Sequence, residues 1–172
     1  MWQIVYVFIL IVAFFIGHAF NFRKDRVSAF MTCLYLLLLM GGQTNNPDYY
    51  TYQEIFSGPF YAKDPGYGLI MIFLRKVGFT AYNFKLGIAI IGFVLISITV
   101  FRLINNRMLF YLIYGIYPFL FDVVQSRNFL VMSILIFSMP LLIKSNFQKK
   151  LIFIALMIFA ASIQKIALLY IP

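Results

Sequence analysis

The sequence predicts an all-α, polytopic membrane protein with about six transmembrane helices, a polar outer loop and an amphipathic or re-entrant segment near residues 66–82. Three observations lead there. Hydrophobic residues make up 63% of the 172 and charged residues only 11%, against about 25% charged in an average soluble domain. So few charges cannot cover a compact particle, and lipid is the natural solvent for most of the surface. The apolar residues fall in runs close to the roughly 20 needed to cross hydrocarbon, and the mean hydropathy is +0.93. Finally, the basic residues sit in short clusters between those runs, where they set orientation in a bilayer. The length leaves space for about six or seven crossings with short loops and none for a soluble catalytic domain.

The net charge of +9 would point to nucleic acid on a soluble chain. Clustered between apolar runs, it has an orienting role instead, and no nucleic-acid partner is expected. Cys33 is the only cysteine and His18 the only histidine. An internal disulfide, a CxxC pair and a cysteine metal cluster are therefore excluded, and both residues read as packing side chains.

Taken in order, the first span is residues 2–20. It lacks a positive n-region, exceeds a usual signal core and is followed by Arg23, Lys24 and Arg26, so it reads as a membrane helix with its N-terminus outside. A second span covers 27–42. Residues 43–66 turn polar and tyrosine-rich with Pro and Gly turn signals, which predicts a loop. In 66–82 only six apolar residues, Leu69 to Leu74, precede Arg75 and Lys76, so this segment lies along or dips into the surface without crossing. Further spans are expected at 84–101, 108–124, 129–143 and 151–171. Gly17, Gly87, Gly92 and Gly115 read as close-packing points between helices.

Charge parity selects this topology. If 66–82 does not cross, the clusters Arg23–Lys24–Arg26, Arg102–Arg107 and Lys144–Lys149–Lys150 all face the cytoplasm. If it crosses, only the first does. The same arrangement gathers Asp48, Glu54, Asp64 and Asp122, four of the five acids, at the outer face. Chemistry is expected there.

Asp122, Gln125, Ser126, Arg127 and Asn128 interrupt two strongly apolar runs. An ionised side chain at mid-bilayer depth costs about 2.5–3.5 kcal/mol, so such groups are paired or line polar cavities. Arg127 either snorkels to the surface and pairs with Asp122, or captures an anion, since its guanidinium fork suits phosphate oxygens. Asp48, flanked by Tyr49, Tyr50 and Tyr52, is either a base or sugar-binding carboxylate with aromatic faces for stacking, or part of an interfacial aromatic belt. Asp64-Pro65-Gly66-Tyr67 fits a turn, and Lys165 beside Gln164 either snorkels or faces a cavity. No GxxxxGK[ST], HExxH or GxSxG pattern is present, leaving nucleotide, zinc and serine hydrolysis without apparatus.

Four motifs occur in order: Asn46-Pro47-Asp48-Tyr49 with Tyr52, then Asp64-Pro65-Gly66-Tyr67-Gly68, then Gln125-Ser126-Arg127-Asn128, then Gln164-Lys165 through Tyr170-Ile171-Pro172. Together they resemble the EpsG family of bacterial membrane proteins, which is similar to Wzy-type polysaccharide polymerases. The family tends to have Glu where this chain has Asp64, Gln where it has Asn128, and His and Ser where it has Gln164 and Ile166. Its members are about twice this length, so the chain is expected to be an N-terminal half or truncated member.

The resemblance implies capsular or exopolysaccharide polymerisation at the outer leaflet of a bacterial cell membrane. A glycan on a polyprenyl pyrophosphate is transferred to a new lipid-linked unit. Arg127, Asp48 and Asp64 are the implied catalytic residues, with Tyr49, Tyr52, Gln125 and Lys165 binding substrate and no metal or other cofactor. The implied partners are the polyprenyl-pyrophosphate-linked oligosaccharide, membrane lipid and other polysaccharide assembly proteins. Alternatives are a transferase using a polyprenyl-phosphate sugar, a lipid-linked oligosaccharide flippase and a noncatalytic remnant.

Overall fold

A computed structural model describes residues 21–44, 47–58, 64–143 and 146–170. The expected first span, 2–20, lies outside them. Eight α-helices follow in order: α1 Asn21–Gly42, α2 Pro47–Ser57, α3 Pro65–Lys76, α4 Ala81–Leu103, α5 Arg107–Ile116, α6 Pro118–Asp122, α7 Ser126–Ile143 and α8 Phe147–Ile163. A 3-10 helix, Lys165–Tyr170, comes after them. The described residues contain no strand.

α1, α4 and α7 contain stretches, Asp25–Gly42, Ala81–Leu103 and Ser126–Ile143, that are long and apolar enough to cross a membrane. Each is apolar on nearly all sides. In α1 the stripe Ala29, Cys33, Leu36 and Met40 is buried at helical spacing, while Val27, Phe30, Leu34 and Leu38 stay exposed. In α4, Ile88, Gly92, Phe93, Ile96 and Val100 turn inward and Ile90, Ile91, Val94 and Ile98 outward. A helix hydrophobic on every side is either deep in a core or in lipid, and outward faces of this size suit lipid rather than water.

Close packing and internal hydrogen bonds tie the helices together, as an apolar solvent demands. Gly92 admits the Phe129 ring so closely that a Cβ would collide with it. Gly87 does not act this way, since the nearest atom is an ordinary 4.0 Å contact with Phe79. Cys33 Sγ shares a hydrogen with Ser97 Oγ at 3.3 Å, and Ser97 Oγ with the Tyr111 hydroxyl at 2.7 Å. That polar chain links α1, α4 and α5.

The helix ends sort into two groups. At one end the Asp25 carboxylate accepts from the backbone N–H of Met108 at 3.1 Å and Arg107 at 3.4 Å, and forms an ion pair with Arg107 at 3.4 Å. A carboxylate there satisfies open N–H groups in the first turn of α5. At the other end Lys85 Nζ donates to the Gln43 carbonyl. The end of α1 therefore meets the start of α4, and α2 and α3 are confined to that end.

Three expected elements are revised. The stretch expected as one span at 108–124 is two helices, because Pro118 cannot supply an N–H and Tyr117 leaves the helical path at ψ −67° with φ −116°. The expected span at 151–171 ends at Ile163, where Gln164 is extended (φ −156°, ψ 126°) and a 3-10 turn follows. The expected loop 43–66 contains α2, with Pro47 as its first helical residue, a position that loses nothing by lacking an N–H. Of 66–82, residues 66–76 belong to α3, which is closed by Gly78 at φ +91°, a conformation suited to glycine, and 81–82 already begin α4.

Candidate functional site

Arg127 stands in the first turn of α7. The helix dipole disfavours a cation there, so the position needs compensation. It comes from α2 and α3. Arg127 Nη1 donates to Asp64 Oδ2 at 2.8 Å, and its Nε donates to the Tyr52 hydroxyl at 3.4 Å. The guanidinium carbon lies 5.5 Å from the Tyr52 ring centroid and 5.6 Å from that of Tyr67, within cation–π range. Nη2 has no hydrogen-bond partner among the described residues, and the side chain is one-third exposed.

Local sequence explains this arrangement. Asp64 is the N-cap residue of α3 with Pro65 next, yet its side chain does not cap the helix. The carboxylate is available to Arg127 instead. Gly66 then lets the first turn of α3 sit against Ser162 of α8, whose backbone carbon would lie 2.8 Å from a Cβ at that position. Tyr67 is 3% exposed, with its ring 5.4 Å from Phe84 and 6.1 Å from Tyr52. Burial pushes its hydroxyl pKa far above the usual value, with Ser126 and the Arg127 charge opposing. The ring therefore acts as a neutral wall.

The structure unites Arg127, Asp64 and Tyr52. Asp48 lies in the first turn of α2, with its side chain outside the described set. Tyr49 faces Lys85, whose Nζ is 5.5 Å from its ring centroid. Gln125 is exposed and closes α7 through its backbone, accepting from Phe129 N. Lys165 is exposed and forms no ion pair among the described residues. The alternative pairing of Arg127 with Asp122 is replaced: Asp122 accepts a 2.7 Å hydrogen bond from the Tyr114 hydroxyl, so its charge is already engaged.

Two residues escaped the sequence reading. Tyr67 sat in a quoted motif without a role, and Lys85, 5% exposed, was passed over as part of an apolar run. A lone lysine within such a run was the available signal.

Three of the four motif segments thus converge, through the Arg127–Asp64 ion pair, the Tyr52 contact and the seat of Gly66 on Ser162, two residues before Gln164. The EpsG family model matches residues 26–172. This chain belongs to the EpsG family. It is accordingly a membrane protein of polysaccharide-polymerase-like type with a general role in exopolysaccharide biosynthesis. No curated protein and no solved structure matches the chain. Within an EpsG protein the convergence has a chemical reading: a guanidinium held by two rings and one carboxylate, at a helix N-terminus that itself favours anions.

Proposed function

We propose that this EpsG protein catalyses polymerisation of lipid-linked glycan repeat units at the outer leaflet, with Arg127 as the anion-binding centre. The observation that carries the reading is the Arg127–Asp64 pair, 2.8 Å long and backed by Tyr52 and Tyr67. A pyrophosphate-linked glycan offers the guanidinium a stronger, bidentate partner than one carboxylate oxygen. Exchange of partners does two things at once: it neutralises the leaving group and releases the Asp64 carboxylate.

The chemistry then balances. The bond between the anomeric carbon and the pyrophosphate oxygen breaks, and a glycosidic bond forms from an acceptor hydroxyl to that carbon. The hydroxyl proton passes to Asp64, and polyprenyl pyrophosphate leaves on Arg127. Positive charge preorganised where negative charge develops is typically the largest electrostatic contribution to such a transfer. Asp48, on the adjoining helix α2, is the other base in this reading, and Gln125 and Lys165 contact substrate only when it is bound.

The two ends support a membrane orientation. Arg107 and the start of α5 lie at one end, with the first turn of α8 bearing Lys149 and Lys150 at the opposite end of that helix from Ser162. The basic end faces the cytoplasm and the Arg127 end faces outward.

Replacing Arg127 by Ala tests the assignment. Long polymer should fall by about 10²-fold or more while the amount of protein in the membrane is unchanged. Polymer of normal length from that variant rejects the role of Arg127.

A further inference from the structure

Resting on the glycan substrate proposed above, we propose that a cavity at the same end is a sugar-binding subsite for a ring of the repeat unit remote from the reacting carbon. It is an open cleft of about 380 Å³ lined by Tyr49, Gln53, Ser57, Arg75, Thr80 and Tyr82 together with two phenylalanine rings. The volume is that of a small-molecule site. A pyranose presents an apolar face of C–H bonds and a rim of hydroxyls, and this lining offers aromatic faces with an amide, hydroxyls and a guanidinium at fixed places.

Its position relative to Arg127 follows from helical spacing. Tyr49, Tyr52, Gln53 and Phe56 form one stripe of α2 at i, i+3, i+4 and i+7. Tyr52, at one edge, meets Arg127; Tyr49 and Gln53 face the cavity. Helix α3 bridges the two sites in the same way, with Asp64 at its start and Arg75 in its last turn, about 16 Å apart at 1.5 Å per residue. One glycan could engage both.

Arg75 is also held ready. Its Nη1 donates to the carbonyls of Phe56 at 3.1 Å and Gly58 at 3.0 Å. These bonds orient the guanidinium without neutralising it, because the cavity lining includes no acid. Tyr82 is 42% exposed, so one aromatic wall is accessible from outside. Two other cavities among the described residues carry no guanidinium: one joins Phe110, Ile113, Met132 and Ile136 to Tyr114, Asp122 and Asn128, and the other is lined mainly by Phe30, Leu34, Leu37 and Val94. Binding energy from a remote sugar is useful only if it positions the reacting end, which is the role assigned here.

The test uses the whole chain in lipid nanodiscs and the repeat-unit oligosaccharide released from its carrier by mild acid and then dephosphorylated. Binding is followed by saturation-transfer NMR and calorimetry for wild type, Gln53→Ala, Tyr82→Ala and Arg127→Ala, with thermal unfolding measured on each. The expected result is at least tenfold weaker binding in Gln53→Ala and Tyr82→Ala at unchanged unfolding temperature, and wild-type binding of this phosphate-free probe by Arg127→Ala. Equal binding by all four proteins, no binding by wild type, or displacement of the sugar by inorganic pyrophosphate overturns the subsite. Normal polymer from Arg127→Ala, with sugar binding still lost in Tyr82→Ala, rejects the charge-centre reading alone.

Discussion

Arg127 illustrates how one side chain is made tolerable in an apolar chain. Tyr52 contributes both a ring face and a long 3.4 Å hydrogen bond, and substitution separates them. Tyr52→Phe keeps the ring and should cost under about 1 kcal/mol, leaving polymer length close to wild type. Tyr52→Ala removes both and should shorten the polymer distribution on a gel. At Asp64, Asn keeps the size but loses the charge, so polymer should be lost. Glu restores a carboxylate, the residue type the family tends to use, and should recover part of the polymer. The sequence singled out Arg127 and Asp64, and for Arg127 it left two alternatives, pairing with Asp122 or capture of an anion. Proximity in the chain misled, since Tyr114 occupies Asp122 and the true partner is 63 residues away.

Among the elements, α3 depends on what Gly66 lacks. Gly66→Ala forces a Cβ against Ser162, including its backbone carbon at 2.8 Å, and should lower stability by about 1–3 kcal/mol. Adding Ser162→Gly removes a side chain but not the backbone, so rescue should be incomplete in a thermal unfolding assay. Gly42→Ala is the control, because nothing lies within 4 Å of a Cβ there and the change should be within about 0.5 kcal/mol. Long apolar elements were legible because composition alone defines them: α4 and α7 exceed the expected 84–101 and 129–143 by only a few residues. α2 was not, since Asn-Pro-Asp reads as a turn although Pro at the first helical position also starts helices. The break at Tyr117 was hidden for the opposite reason. Hydropathy continues unbroken across it while the backbone does not.

For the whole molecule, the decisive feature is that ion pairs and polar contacts gather at two ends. Asp25 and Arg107 fix one end, and Lys85 with Gln43 fixes the other, where α2, α3 and Arg127 gather. In a Cys33→Ala background, Asn83→Cys should react with an impermeant maleimide in intact cells, and Lys150→Cys only after permeabilisation. The reverse pattern inverts the proposed orientation. Charge clusters suggested an orientation in advance; the contacts at each end were not legible, because pairing between distant helices leaves no periodic trace in a single sequence.

The seat of Gly66 on Ser162 also dictates an order of birth. A membrane chain is threaded into the bilayer from its N-terminus as it is made, so α3 emerges long before the surface it rests on. Until α8 is made, the first turn of α3 lacks the backbone it rests on. The proposed anion centre should therefore form late in biogenesis, and a chain stalled before residue 162 should leave α3 without its seat.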